Sequence, residues 1–209
     1  MAKTLCIIIN WNAAADTNLL VEQVWKTTTA HIALIDNGST DQSKEQLMAA
    51  CSRLQAANWQ SQFECKSERL QLISSATNDG FAKAINKVIR CVLPNTYDFI
   101  WLLNNDALPE EKALVHLEDC LLQQKDLGFA GSVIMDYEQR NKIQCCAVRY
   151  HPFFAVSKLQ FKNQQWDDAK DYISNDKHIF QHGASLLVRY SMLEQLGLLD
   201  ERFFLYAEE

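Results

Sequence analysis

The chain has 209 residues, 48% of them hydrophobic and 22% charged, and a formal net charge of −6. That length and balance suit one globular domain that buries its own core without staples. A net negative chain argues against a nucleic-acid binder working through a basic patch, and leaves phosphate ligands open to local donors.

The seven cysteines, Cys6, Cys51, Cys65, Cys91, Cys120, Cys145 and Cys146, are odd in number and form no CxxC pair. This argues against a zinc site or a disulfide framework. It points to a reducing, cytoplasmic compartment. Cys145 and Cys146 are neighbours whose side chains would leave a strand on opposite faces. Thr4 to Ile9 is too short and too soon ended by Asn10 to be a signal peptide. No apolar run reaches the ~20 residues that span a bilayer, so any membrane association would be peripheral.

The first element, Leu5 to Ile9, is continuously apolar and reads as a strand buried on both faces, as in a parallel sheet. Asp16 or Thr17 would cap a helix carrying Leu20, Val21, Val24 and Trp25 at helical spacing. His31 to Ile35 is a second strand, running into the turn-rich Asp36-Asn37-Gly38-Ser39-Thr40-Asp41. Ser43 with Gln46 forms a capping box for a helix reaching about Ala57. Arg69 to Ser74 is a weaker strand, and Asn78-Asp79-Gly80 a turn. Phe81, Ile85, Val88, Ile89 and Val92 share one face of the next helix, which Pro94 stops. Tyr97 to Leu103 is a fourth strand, ending in Asn104-Asn105-Asp106. Pro109 and Glu110 open a helix with Leu114, Leu117, Leu121 and Leu122 inward. Phe129 to Met135 is a fifth strand. The alternation predicts an α/β fold, a parallel sheet with helices on both faces. Beyond residue 136 it breaks down, and residues 143–188 read as antiparallel strands and loops.

In open parallel sheets, ligands bind beyond the carboxyl ends of the strands. Asn10 to Asn12, Asp36 to Asp41 and Asn104 to Asp106 fall at such ends, and the turn Asn78 to Gly80 joins them. Asp106 is either a lone carboxylate ligand for Mg²⁺ or Mn²⁺, completed by a substrate diphosphate, or a helix cap. Asp36 either accepts hydrogen bonds from a nucleobase or ribose, or only shapes a turn.

The segments Ile8-Ile9-Asn10-Trp11-Asn12, Asp36 to Asp41, Asn78-Asp79-Gly80-Phe81-Ala82 with Asn86, and Leu102 to Asp106 follow in order. His182-Gly183-Ala184-Ser185 to Arg189, then Gly197, Asp200-Glu201 and Phe203 to Glu209, complete the series. Together, across nearly the whole chain, they resemble glycosyltransferase family two, and within it the rhamnosyltransferase-like branch of bacterial polysaccharide assembly. The resemblance implies a single GT-A domain over 1–209, with a nucleotide-sugar half (1–135) merged with an acceptor and catalytic half (136–209). It implies an inverting transfer from a nucleoside-diphosphate sugar, dTDP- or UDP-linked, to a glycan or lipid-linked acceptor. On it, Asn10, Asn12 and Asp36 would hold the nucleotide. Asn78, Gly80 and Asn86 would wall the nucleotide and sugar. Asn104-Asn105-Asp106 would be a variant of the DxD motif with the metal on Asp106, and Gly183 would face the acceptor. Glu208-Glu209 matches the family's Glu-Asp pair, with Glu209 the general base. Family members continue past this point with an acidic-hydrophobic stretch, an arginine and a helix. The resemblance thus implies a C-terminally truncated chain, and a nucleotide-sugar binder without turnover is the alternative.

Other residues carry less. Of the five histidines only His182, beside Gly183, stands near a motif. Tyr150, Phe153, Phe154, Phe161 and Trp166 would line an acceptor groove or, the more frequent fate of such residues, pack in the core. Lys3, Lys83, Lys87 and Arg90 flank the crevice without an assigned role. A nucleotidylyltransferase would need a Gly-rich basic loop after the first strand, and a dehydrogenase a GxGxxG; neither is present.

Overall fold

The computed structural model describes residues 2–54, 63–66, 69–92, 96–151, 153, 156–169, 179–180 and 182–204. The N-terminal part alternates strand and helix: β1 (Thr4–Asn10), α1 (Ala14–Thr27), β2 (His31–Asn37), α2 (Ser43–Arg53), β3 (Phe63–Lys66), β4 (Leu70–Ser75), α3 (Phe81–Cys91), β5 (Phe99–Asn104), α4 (Ala113–Gln123) and β6 (Phe129–Gly131). There follow β7 (Ile134–Met135), β8 (Ile143–Cys145), β9 (Ala147–His151), β10 (Val156–Gln160), α5 (Trp166–Ala169), β11 (Ile179–Phe180), β12 (Ser185–Arg189) and α6 (Tyr190–Leu196).

Among the described residues the main sheet has seven strands in the order β3-β4-β2-β1-β5-β12-β6. β4, β2, β1 and β5 are parallel, while β3 and β12 run against their neighbours. Apolar side chains alternate along each central strand, and each face buries a different set. Cys6, Ile8, Ile32, Leu34, Phe99, Trp101 and Leu187 pack with Leu20 and Val24 of α1, Leu47 of α2, and Leu117 and Leu121 of α4. Leu5, Ile7, Ala33, Ile35, Ile100, Leu102 and Val188 pack with Ile85, Val88 and Ile89 of α3 and Tyr190 of α6. The result is a sheet between two helical layers, as the alternation predicts.

Several expectations are corrected. Phe129 to Met135 is not one strand. β6 pairs antiparallel with β12, while Ile134–Met135 leaves the sheet to pair with β8. β12, from the C-terminal part, has inserted between β5 and β6, so the parallel series stops at β5. Its burial is explained by its composition, Ser-Leu-Leu-Val-Arg, with four of five residues buried. At α2, Ser43 is the first helical residue and the cap residue is Gln42, with no side-chain cap bond; Asp41 Oδ1, one residue earlier, accepts from Ser43 N at 2.9 Å. α2 ends at Arg53, and residues 55–57 of the expected helix lie outside the described residues. α1 begins at Ala14 with no side-chain cap, because its cap residue is Ala13, while Asp16 and Thr17 lie within the first turn. α4 begins after Pro109 and Glu110, and its Leu122 faces solvent at 52% exposure rather than the core. Phe153 and Trp166 are likewise exposed, against the core-packing expectation; the side chains of Tyr150 and Phe154 lie outside the described residues.

Two arginines close helix C-termini, where carbonyls lack partners. Arg69 donates to Val24 O, Thr28 O and Ala30 O, with its guanidinium 4.4 Å from the Trp25 ring. Arg189 does the same for α4 through Leu121 O, Gln124 O and Leu127 O. The C-terminal part forms antiparallel strands as expected, with β10-β9-β11 in one small sheet and β7-β8 in another. Among the described residues Cys6, Cys51, Cys91, Cys120, Cys145 and Cys146 form no disulfide. Among the described residues no helix is long and apolar enough to cross a membrane.

Candidate functional site

The register of the parallel strands brings the polar clusters to one edge of the sheet. Asn10 pairs with Asp36, and Asp36 with Ser74, while Ile9 pairs with Asn104. Asn10, at 0% exposure, is the hub. Its Nδ2 donates to Asp36 Oδ1 and to Ser39 Oγ, each at 3.0 Å, and its Oδ1 faces the Thr17 hydroxyl at 2.8 Å. Ser39 Oγ donates in turn to Asp36 Oδ1 and accepts from Asn12 N at 2.9 Å. The buried Asn10 carboxamide therefore has both its donor and its acceptor engaged, as burial of such a group requires. Asn12 sits at φ 53°, a left-handed conformation that asparagine tolerates, and closes the loop by accepting from Thr40 N at 2.8 Å.

A second hub is Asn37, buried at 3% exposure. Its Nδ2 donates to Asn78 Oδ1 (3.0 Å) and Gly80 O (3.3 Å), and its Oδ1 accepts from Asp79 N (3.1 Å). The turn it holds needs two glycines. Gly38 has φ +71°, and a Cβ there would run into the backbone of Thr77 and Asn78. Gly80 has φ +78°, and a Cβ there would meet Phe204. Both conformations favour glycine on steric grounds.

At the end of β5, Asn105 Nδ2 donates to Thr17 Oγ1 at 3.1 Å and so joins the first network. Asn104 N donates to Ala184 O at 3.0 Å, which brings the turn containing buried Gly183 against the same strand end. His182 Nδ1 accepts from Ala184 N at 3.2 Å and shapes that turn. Asp106 is exposed and has no protein partner among the described residues. No group of three or more His, Cys, Asp or Glu side chains able to hold a metal occurs among the described residues. A lone exposed carboxylate beside the Asn104 and Asn105 carboxamides fits a hard ion that takes its remaining oxygens from water and a diphosphate.

Asn86 is placed differently from the other expected residues. It is buried within α3, and its carboxamide is engaged by Leu199 and Glu201 rather than directed at the strand ends. Glu201 also pairs with Arg90 at 2.6 Å. The Asn86 donation and the Arg90 guanidinium hold its carboxyl below the ordinary range. Asp79 pairs with Lys83 at 2.9 Å and raises the lysine, first by that hydrogen bond and then by its charge. Lys87 Nζ donates to Ser75 Oγ at 3.1 Å, so Lys83, Lys87 and Arg90 each have a partner within the chain. Glu208 and Glu209 lie outside the described residues.

Thr17, expected only as a helix cap, and Asn37 and Trp11, present in the strand-end motifs without a role of their own, gain theirs from the fold: Thr17 bonds Asn10 and Asn105, and Asn37 holds the Asn78–Gly80 turn. Trp11 stands between Asn10 and Asn12 at the end of β1 and is 54% exposed. An aromatic inside a polar strand-end loop was the signal available for it.

Known proteins give this geometry a context. Residues 6–197 match the family model described as glycosyl transferase family 2. No curated protein matches the sequence. The fold is similar to the mannosyltransferase PcManGT from Pyrobaculum calidifontis, solved with GDP-Man and Mn²⁺. The TM-score is 0.63 at 15% identity, covering 96% of this chain and 48% of that one. It is also similar to glucosyl-3-phosphoglycerate synthase from Mycobacterium tuberculosis, solved with UDP. Here the TM-score is 0.52 at 10% identity, covering 92% and 58%. The chain thus spans about half the length of the solved structures it resembles. The architecture is a GT-A-like α/β fold with a mixed, mostly parallel sheet, and the chain belongs to glycosyl transferase family 2.

Proposed function

We propose that the chain binds a nucleoside-diphosphate sugar, dTDP- or UDP-linked, across the ends of β1, β2 and β5. It transfers the sugar, with inversion, to a hydroxyl of a glycan or lipid-linked acceptor, in cytoplasmic polysaccharide assembly of the rhamnosyltransferase-like kind. The observation that carries this reading is the satisfied network Asp36–Asn10–Thr17–Asn105, which fixes three strand ends and leaves Asp106 and Trp11 exposed beside it. Membership of the family supports it, as do similar folds solved with GDP-Man and Mn²⁺ and with UDP.

Each residue then has a task. Asp36 Oδ1 is held by Asn10 and Ser39, and Oδ2 is the oxygen left to accept from the base or ribose. Trp11 offers a flat apolar face to the base. Asp106 would hold Mg²⁺ or Mn²⁺, which when bound neutralises charge on the leaving diphosphate. Glu209, with Glu208 beside it in sequence, takes the proton from the acceptor hydroxyl as that oxygen bonds to the anomeric carbon. The bond from that carbon to the diphosphate breaks on the opposite face, through an oxocarbenium-like transition state. Gly183 leaves room for the acceptor next to Asn104.

Calorimetric titration of UDP and dTDP, with Mn²⁺ or Mg²⁺ and then with EDTA, tests the donor site. Metal-dependent binding lost in Asp106→Ala is the expected result, and the preferred base identifies the donor class. A folded chain that binds neither nucleotide would overturn the reading.

A further inference from the structure

β12 and β5 run antiparallel with Ser185 opposite Leu103. Their last shared bond, at the edge where the polar clusters meet, is Asn104 N donating to Ala184 O at 3.0 Å. Beyond it both chains turn. Asn104 O accepts from Ala107 N at 3.1 Å, and the other chain enters through His182 and Gly183. Because the strands are antiparallel, forward from Asn104 to Asp106 and backward from Ala184 to His182 lead off the same edge. Two residues of chain reach at most about 7 Å. His182 and Asp106 therefore stand on neighbouring chains, each within that reach of one backbone bond.

A single bond orients the half-buried His182 ring: Nδ1 accepts from Ala184 N at 3.2 Å. A ring nitrogen that accepts carries no proton, so the neutral imidazole holds its one proton on Nε2. Nε2 is then a donor, and it has no partner among the described residues. It has no lone pair to give a metal ion, so the ring does not supplement Asp106 as a ligand. The turn by itself does not call for histidine. An asparagine accepts from the N–H two residues on and closes the same kind of turn. What the imidazole adds is a second nitrogen, held rigidly with its proton pointing away from the turn.

The neighbouring site has a use for such a donor. A diphosphate bound there presents several charged oxygens, and one hard cation engages only some of them. The basic side chains that flank the crevice are occupied, Lys83 by Asp79, Lys87 by Ser75 and Arg90 by Glu201. N–H groups meet phosphate oxygens without a further cation, and bonds to a charged acceptor are the stronger kind.

We propose that His182 binds the diphosphate of the nucleotide donor, its Nε2–H donating to a phosphate oxygen while Nδ1 stays on Ala184 N. This rests on the nucleotide-sugar reading above and adds to it a ligand group from the C-terminal half. Charge grows on the leaving diphosphate during transfer, so the bond strengthens as the link to the anomeric carbon breaks. The proton remains on Nε2 throughout.

The experiment compares the wild-type chain with His182→Asn and His182→Gln. Affinities for UDP and dTDP, and for uridine and thymidine, are measured with Mg²⁺, together with the unfolding midpoint. Asparagine keeps an acceptor for Ala184 N and lacks the distal donor. Its midpoint should match wild type, while binding of the diphosphate weakens by roughly 10- to 100-fold and binding of the parent nucleoside is unchanged. Glutamine brings a carboxamide N–H near the place of Nε2 and gives up the ring acceptor. It should keep more of the affinity than His182→Asn and lower the midpoint. If His182→Gln does not fold, His182→Asn carries the test. A residue that only shapes the turn gives the reverse order, with His182→Asn harmless to affinity and midpoint alike, and that result overturns the proposal. So does an equal loss for nucleoside and nucleotide, or a loss confined to the KM of the acceptor. In ¹⁵N NMR of the wild-type chain, Nδ1 of His182 should be the unprotonated nitrogen, and the Nε2–H signal should move on addition of the nucleotide with Mg²⁺. The opposite tautomer overturns the proposal whatever the affinities. A folded wild-type chain with the expected tautomer that binds no nucleoside diphosphate overturns the donor reading instead.

Discussion

Asn105 Nδ2 donates to Thr17 Oγ1 at 3.1 Å, tying the end of β5 to the first turn of α1 across 88 residues of sequence. The single Thr17 proton lies within reach of both Asn10 Oδ1 (2.8 Å) and Ala13 O (2.9 Å). Thr17→Val keeps the shape and removes the link, leaving buried Asn10 short of a partner. The expected cost is about 1–3 kcal/mol, read as a lower denaturation midpoint at unchanged m. Nucleotide affinity should fall with it, although Thr17 is fully buried and touches no ligand.

Asp106 stands apart from this network. Because it is exposed and unpaired among the described residues, Asp106→Ala should leave the unfolding midpoint unchanged. The same variant should abolish the difference in nucleotide affinity between Mn²⁺ and EDTA. Equal affinities in wild type with and without metal would refute the metal assignment.

Trp11 gives an optical handle. Stacking of one base on an aromatic is worth about 1–3 kcal/mol, so Trp11→Ala should weaken nucleotide binding by roughly 5- to 160-fold. Trp11→Phe should keep most of the affinity and lose most of the fluorescence change on titration.

Gly38→Ala tests the joint between the Asp36–Asp41 loop and the Asn78–Gly80 turn. With φ +71° and the Thr77–Asn78 backbone in the way, neither the conformation nor the space suits a Cβ. A loss of about 1–3 kcal/mol is expected from strain alone. Nucleotide affinity should drop as well, because the clash moves Asn78.

The Asn86–Glu201 link should be acid-sensitive. Its folded carboxyl lies below the ordinary value of 4.5, through the Asn86 donation first and Arg90 second. The unfolded chain therefore takes up its proton first as pH falls. The stabilisation is present in full above about pH 4.5 and is lost as pH falls through the lower folded value. An NMR titration should show the Asn86 side-chain amide shifting only below the ordinary glutamate range, and Glu201→Gln should remove that step.

Much of this molecule is legible in the order of its residues. Apolar runs at Leu5–Ile9, His31–Ile35 and Tyr97–Leu103 alternate with helical patterns, and parallel strands follow because such crossovers pack only one way. The strand-end clusters at Asn10, Asp36 and Asn104 were found by the same logic, since the carboxyl ends of parallel strands converge. Phe129–Met135 misled because a short apolar run carries no record of its neighbour. The insertion of β12 decided where that run pairs and where it breaks.

Residue type and local period, which the sequence carries, determined the layers, the sheet direction and the edge of the sheet where polar groups collect. Only the tertiary structure decided what each of those polar groups does. Asn10, Asn37 and Asn86 are alike as letters, yet each is buried against at least one partner 26 to 115 residues away. A carboxamide has donors and an acceptor to satisfy wherever it is buried, and only the folded chain supplies the partners that make one a loop hub, one a turn hub and one a tether for the C-terminal segment.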